Sequence, residues 1–422
     1  MDYKNLIPNG ASYEILTERM QENTVKFDGN KFESFAGKDT TNQVARVLYD
    51  GKLSIASGTK PNSNEELIKQ AAEMVPYGSE HDVDFVGSAD IKPMDLSSDE
   101  TISPKEMADI AGGLLEDLCG LDSRISTMVS VTSKASETTL KTSNGFNASY
   151  KKTNWNLTAG IDITVDGDNL SVYDFQIGKN PKFDPPAIKE KIMQKLQYAK
   201  NVVPLKAGTY PVIFSPGEVN YVTFPIIQSL FGNSIYQKVS PFCDKLGEEL
   251  FDKRFTFVDD GSLEGEWTSL PFDSEGTPVK RNVLVQDGKL QNYILDRKFG
   301  ARLGKNSTGN SRGPNHLRIT PGEKKLAEMI KSIDYGLLID GSMGAWSGNP
   351  YSGIVSGTIS MGLLIENGQI KGRVKDSMFT INAFEHLQKH LLDLSAETEG
   401  NGFMCYNVYP YMMLDQVVIS AN

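Results

Sequence analysis

The chain has 422 residues, 39% hydrophobic and 23% charged, enough for a large core and two or three domains. A formal charge of −11 speaks against nucleic acid as a direct partner, and no apolar run approaches the roughly 20 residues of a membrane span. Cys119, Cys243 and Cys405 are odd in number and far apart, which argues against a disulfide framework and for a reducing cytoplasm, and MDYKNLIPNGASYE lacks the basic segment and apolar core of a secretory leader.

In chain order, Ser12 can cap a helix running through Met20 towards Asn23. Two short strands are expected around Asp28-Gly29-Asn30. Val44–Tyr49 and Leu53–Ser57 pair across Asp50-Gly51. A helix follows over Ser63–Val75, with Glu65 and Glu66 in its first turn and Leu67, Ile68, Ala71 and Met74 on its apolar face. Residues 77–103 read as a linker in which His81 is a solvated loop histidine. Pro104–Leu118 reads as a helix weakened by Gly112-Gly113. From Ser126 to Val165 the pattern alternates, predicting a meander with turns at Asn144-Gly145 and Asp166-Gly167. Pro185–Val202 is an amphipathic helix with Ile188, Ile192, Leu196 and Ala199 on one side.

Tyr210–Phe214 is a buried strand that ends at Ser215-Pro216-Gly217. Val219–Phe231 is apolar on most sides, as suits a core helix, with a late start or a kink expected at Pro225. Arg254–Val258 is a strand running into an Asp259-Asp260-Gly261 turn. A hairpin pairs Val283–Val285 with Leu290–Leu295 across Asp287-Gly288. Ser307–Asn310 is a polar loop, Lys324–Ile333 a helix and Tyr335–Ile339 a strand. The many glycines from Gly341 to Gly372 predict strands with bulges or close backbone approach, turning at Asn367-Gly368; they are not spaced as a phosphate-binding loop. Phe379–Leu394 reads as a closing helix and Val408–Ile419 as the last strands.

The order "strand, Pro-Gly, apolar helix, Lys-x-Phe-x-Phe-Val-Asp-Asp-Gly" resembles the TldD/PmbA family of peptide-processing proteins. So do Thr-x-Leu-x-x-Ser-Asn-Gly over 138–145, Asp-x-Glu-Gly-Thr-Pro over 273–278 and Ser-Thr-Gly-Asn over 307–310. The likeness extends to most of the chain. In the proteolytic branch of that family, the helix after Pro-Gly carries His-Glu-x-x-x-His, the ligands and base of a zinc peptidase. Here that stretch reads Tyr221, Val222, Thr223, Phe224, Pro225, Ile226, Ile227, Gln228, Ser229, with no His, Glu, Asp or Cys. The resemblance is therefore to the PmbA-like (TldE-like) branch, with an α+β fold: an amino-terminal α/β module (1–76), a linker helix, β-meander and helix (77–205), and a carboxy-terminal β-rich domain with packed helices (206–422).

The resemblance implies a subunit without the catalytic metal, zinc being confined to a TldD-like partner. Such a subunit would pair with that relative or with itself and hold unfolded or precursor peptides by strand addition to a Gly-rich sheet edge, with Asn310, Gly348 and Asn349 as groove candidates. The family also carries an older label of DNA gyrase modulator. One alternative is a self-sufficient metallopeptidase built on His386 and His390, whose i, i+4 spacing could put two imidazoles on one metal, although Leu387 stands where a zincin has Glu. Another is a non-proteolytic homodimeric scaffold. Asp259 with Asp260, or Asp273 with Glu275, could pair for acid–base work, but adjacent acids near glycine are usually turn residues. Ser307-Thr308 lacks a nucleophile-elbow context. Trp155, Trp267 and Trp346 are scattered, as core or interface residues are.

Overall fold

A computed structural model describes residues 3–59, 63–165, 168–403 and 405–421; the expected Asp166-Gly167 turn lies outside the described residues. The fold is α+β, as expected, and divides into two compact units. The first comprises Met1–Met193, Ser262–Val279 and Asp296–Arg312; the second comprises Gln194–Gly261, Lys280–Leu295 and Gly313–Asn422.

The first unit is built on a seven-stranded sheet formed by β1 (Ser12–Asp28), β2 (Lys31–Tyr49), β3 (Lys52–Gly58), β4 (Ser79–Glu80), β5 (Ser126–Thr142), β6 (Asn147–Val165) and β7 (Asp168–Gly178), in the order β4-β3-β2-β1-β5-β6-β7. Every pairing is antiparallel, and strands from both sides of residue 77 lie side by side in it. The stretch expected as a helix from Ser12 to Asn23 is strand β1. Its Glu, Met and Gln side chains favour a helix locally, but β1 pairs along its length with β2 and along most of it with β5, and the two ladders outweigh that preference.

Odd-numbered residues of β1, such as Tyr13 and Ile15, face α1 (Asn64–Met74), where Ala45, Val47, Leu67, Ile68 and Ala71 complete a core. Ser63 caps this helix by accepting the Glu66 N–H, while Met74, expected on the apolar face, is 53% exposed. On the same sheet face, α2 (Pro104–Cys119) starts with a Ser103/Glu106 capping box and brings Gly112 against Phe27. Even-numbered residues of β1 face the other way: Leu16 packs with Leu140, Phe146 and Phe272 beneath the 262–279 segment. The helix α3 (Pro185–Ala199) follows β7 and buries Ile188, Ile192, Leu196 and Ala199, as its periodicity predicted.

The second unit contains an eleven-stranded sheet. Its elements, with those from the first unit's insertions, run β8 (Gly208–Phe214), α4 (Pro216–Leu230), α5 (Gly232–Tyr236), β9 (Phe257–Asp260), β10 (Arg281–Gln286), β11 (Lys289–Leu290), α6 (Arg297–Arg302), β12 (His316–Ile319), α7 (Leu326–Lys331), β13 (Tyr335–Met343), β14 (Ile354–Glu366), β15 (Gln369–Val374), β16 (Ser377–Asn382), α8 (Ala383–Lys389), β17 (Leu391–Phe403) and β18 (Cys405–Ala421). Strands β18, β16, β14, β13 and β8 pair in sequence, and β8 pairs back to β18, closing a barrel.

Three expectations change in this unit. The expected Asp259-Asp260 turn belongs to strand β9, and both aspartates are buried. The expected helix over Phe379–Leu394 is β16, the short α8 and the start of β17. Alternating inward residues of β16 pair with β14 and β18, and Asn382 then caps α8 by accepting the Phe384 and Glu385 N–H groups. Helix α4 begins at Pro216, before the expected Val219, because Pro216 can occupy its first turn without needing an N–H partner. Pro225 lies inside that helix, where its ring nitrogen offers no N–H to the preceding turn. The glycine-rich stretch behaves as predicted: the β13–β14 register shifts at Gly341, and Asn367-Gly368 turns with φ of 51° and 70°.

Candidate functional site

Helix α4 is the apolar core helix anticipated after Pro-Gly. Val219, Val222, Ile226, Ile227 and Leu230 are buried, and the helix packs against β13, β17 and β18. Most of the polar residues among these apolar ones have side-chain partners; the Ser229 hydroxyl is buried with none among the described residues. In the first turn, Glu218 Oε1 accepts the Ser342 N–H at 3.0 Å and Oε2 accepts the Ser342 hydroxyl at 2.5 Å. Burial, reinforced by Asp340, pushes the Glu218 carboxyl up to about 7 despite these bonds.

Two residues on, Asn220 anchors a buried amide chain. Asn407 Nδ2 donates to Asn220 Oδ1 at 2.6 Å, and Asn220 Nδ2 donates to Asn401 Oδ1 and to the Gly217 carbonyl at 3.0 Å. Asn401 Nδ2 donates to the Pro216 carbonyl at 3.1 Å, and the Cys405 thiol donates to Asn407 Oδ1 at 3.0 Å. Thr223 turns its hydroxyl onto the Val219 carbonyl at 2.9 Å. Beside it lies the fully buried Tyr409, whose phenol burial holds well above its ordinary range.

These residues do not fit a zinc ion. The side chains from Tyr221 to Ser229 are apolar, aromatic, amide or hydroxyl. The nearby Cys405 is a thiol that burial and Asp259 push up to about 12, whereas zinc takes thiolate, imidazole or carboxylate. Among the described residues, no group of three or more His, Cys, Asp and Glu could hold a metal ion.

His386 and His390 do come together, with ring centroids 5.3 Å apart. His386 is buried, and its ring nitrogens contact the Asn382 carbonyl at 2.8 Å and the Gln416 carbonyl at 3.2 Å. Both ring nitrogens are thus turned to backbone, and His390 stands at the end of α8, its carbonyl accepting the Asp415 N–H at 2.8 Å. The pair ties α8 to β18 where its register shifts after Leu414.

Asp273 and Glu275 organise loops of the first unit. Asp273 Oδ1 accepts the Glu275 and Thr277 N–H groups, and Oδ2 accepts that of Ser311, each at 3.0 Å; Glu275 accepts the Arg297 N–H at 2.9 Å. Directly after Glu275, Gly276 adopts φ 75°, and a Cβ there would stand 2.5 Å from Val86. Asp259 accepts the N–H groups of Asn315 and His316 at 2.8 and 2.7 Å. Asn310 is buried in the first unit, with its Oδ1 accepting the Thr308 hydroxyl at 2.7 Å. Gly348 and Asn349 are exposed in the second unit, where Asn349 caps a short turn by accepting the Tyr351 N–H at 3.0 Å.

With this geometry in hand, the family model for the PmbA/TldA metallopeptidase C-terminal domain matches residues 207–421, from the start of β8 through β18. The chain belongs to the PmbA/TldD family. An uncharacterised protein of Methanocaldococcus jannaschii is 28% identical over 419 residues, covering 95% of this chain and 96% of that one. The metalloprotease PmbA of Escherichia coli O157:H7 is 25% identical over 349 residues, covering 78% of this chain and 75% of that protein. Among solved structures, TldE from Thermococcus kodakarensis superposes with a TM-score of 0.89 at 23% identity, over 99% of this chain and 98% of that one; it has the same fold.

Within this PmbA/TldD scaffold, sequence reasoning located the apolar helix after Pro-Gly but missed the Glu218–Ser342 pair and the Asn220–Asn401–Asn407 chain. A carboxylate and an amide inside an otherwise apolar helix were the available signals, since such groups require partners once buried.

Proposed function

We propose that this chain is a non-catalytic subunit of a TldD-type peptidase system, one that holds unfolded or precursor peptides for a metal-bearing relative. The observation that carries the reading is α4: at the turn where the proteolytic branch is expected to bind zinc, Val222 and Ile226 are fully buried, Thr223 bonds the Val219 carbonyl and Asn220 bonds the Asn401 and Asn407 amides. Water activation needs an open coordination position and a free carboxylate, and this helix supplies neither.

Strand addition remains the physical route for peptide binding, with a different strand as its template. The Gly-rich β14 pairs with β13 over Thr358–Glu366 on one side and with β15 and β16 on the other, so most of its length is covered. Strand β17, which carries Gly400 and Gly402, pairs only with β18 among the described strands and is the better edge for a peptide backbone. No helix among the described residues is long and apolar enough to cross a membrane.

The test is to load the purified chain with zinc and offer it an unstructured peptide, alone and with a His-Glu-x-x-x-His relative. The expected result is substoichiometric zinc and no cleavage alone, with chelator-sensitive cleavage by the mixture and a native mass that reports their assembly. Chelator-sensitive cleavage by the chain alone overturns the reading.

A further inference from the structure

The first unit holds a cavity of about 380 Å³ that the family assignment does not use. Its floor is the even-numbered face of the sheet. Strand register sets Glu18 and Met20 of β1 opposite Thr138 and Ser136 of β5, and these opposite Tyr150 and Lys152 of β6. Lys134 stands opposite Asn154, so Lys134 and Lys152 are diagonal neighbours on one face. Trp267, Leu270 and Arg312 form the wall.

The charges around this cavity do not balance. Arg312 is paired with Glu18 at 2.9 Å. Lys152, half-buried on the floor, forms no ion pair among the described residues, and Lys134 on the same face repels it. Glu22 lies across from Lys134 on β1. A desolvated ammonium beside a second cation is costly in a chain whose formal charge is −11. Burial and Lys134 accordingly push Lys152 down to about 8.

We propose that this cavity binds a carboxylate attached to an apolar body, with Lys152 and Lys134 on the carboxylate and Trp267, Leu270 and Met20 against the body. A carboxylate fits better than a phosphate because backbone amides, the usual phosphate cradle, are committed here to the strand ladders. An amino-acid-sized acid and the C-terminal residue of a peptide share this chemistry. The assignment does not depend on the subunit reading.

The test is calorimetric titration of the full chain with N-acetylphenylalanine, its amide, inorganic phosphate, and the tripeptide Ala-Ala-Phe as acid and as amide. N-acetylphenylalanine is expected to bind with a change in tryptophan fluorescence that Trp267→Phe abolishes. Lys152→Met is expected to weaken binding about tenfold or more, and Lys134→Ala, at an exposed position, about threefold. Tighter binding of the tripeptide acid than of N-acetylphenylalanine identifies a peptide end; the reverse identifies a small acid. Equal binding of acid and amide, stronger binding of phosphate, no effect of either lysine variant, or no binding at about 10 mM overturns the proposal.

Discussion

Replacing Glu218 with Gln should stabilise the protein, and only above a defined pH. The carboxyl is buried at the start of α4, and its pKa rises from 4.5 to about 7. Because the folded pKa is raised, the folded state binds protons more readily than the unfolded chain between these values, so stability falls as pH rises from about 4.5 through 7. The shift of about 2.5 units corresponds to roughly 3 kcal/mol of penalty once the group is ionised. Gln keeps a carbonyl for the Ser342 N–H, and the Ser342 hydroxyl can turn to accept from the new amide. Glu218→Gln should therefore gain about 2–3 kcal/mol at about pH 8 and under about 1 kcal/mol at about pH 4.5. Denaturant unfolding of both proteins across that range measures the difference, in which all other titrating groups cancel. A difference that does not change with pH, or a variant less stable at the alkaline end, would refute the account of Glu218.

Two further substitutions test the packing. Asn220→Leu strands the Asn401 and Asn407 amides and should cost about 2–4 kcal/mol in the denaturant unfolding of the second unit, whereas an exposed change such as Lys325→Ala should stay within about 0.5 kcal/mol. Gly276→Ala forces a side chain into a left-handed backbone against Val86 and should cost about 2 kcal/mol or more; limited proteolysis should then cut within residues 262–279 of the variant at a protease level the parent resists.

The elements read correctly from sequence are those whose signals are local. Pro104 marks the start of α2 by itself, and Asp287-Gly288 and Asn367-Gly368 carry their own positive φ angles. Strand β1 was hidden because its partner β5 lies more than a hundred residues away; nothing within Ser12–Asp28 reveals that Glu14 will meet Thr142. Likewise, Phe379–Leu394 has the apolar content of a helix, and its division between β16, α8 and β17 depends on β14 and β18. For the site, the apolar α4 was legible because a missing His-Glu-x-x-x-His can be read directly. The amide chain joins Asn220 to residues about 180 positions later, and the Lys152 cavity depends on register across three strands.

Strand β18 pairs with β8, β12, β16 and β17, all of which precede it in the chain. Until it emerges from the ribosome, β8 and β16 lack its backbone as a partner and Asn220 lacks Asn407. The ring therefore cannot close before β18 joins it. A nascent chain stalled before Cys405 would present several unpaired edges to chaperones or to neighbouring copies of itself.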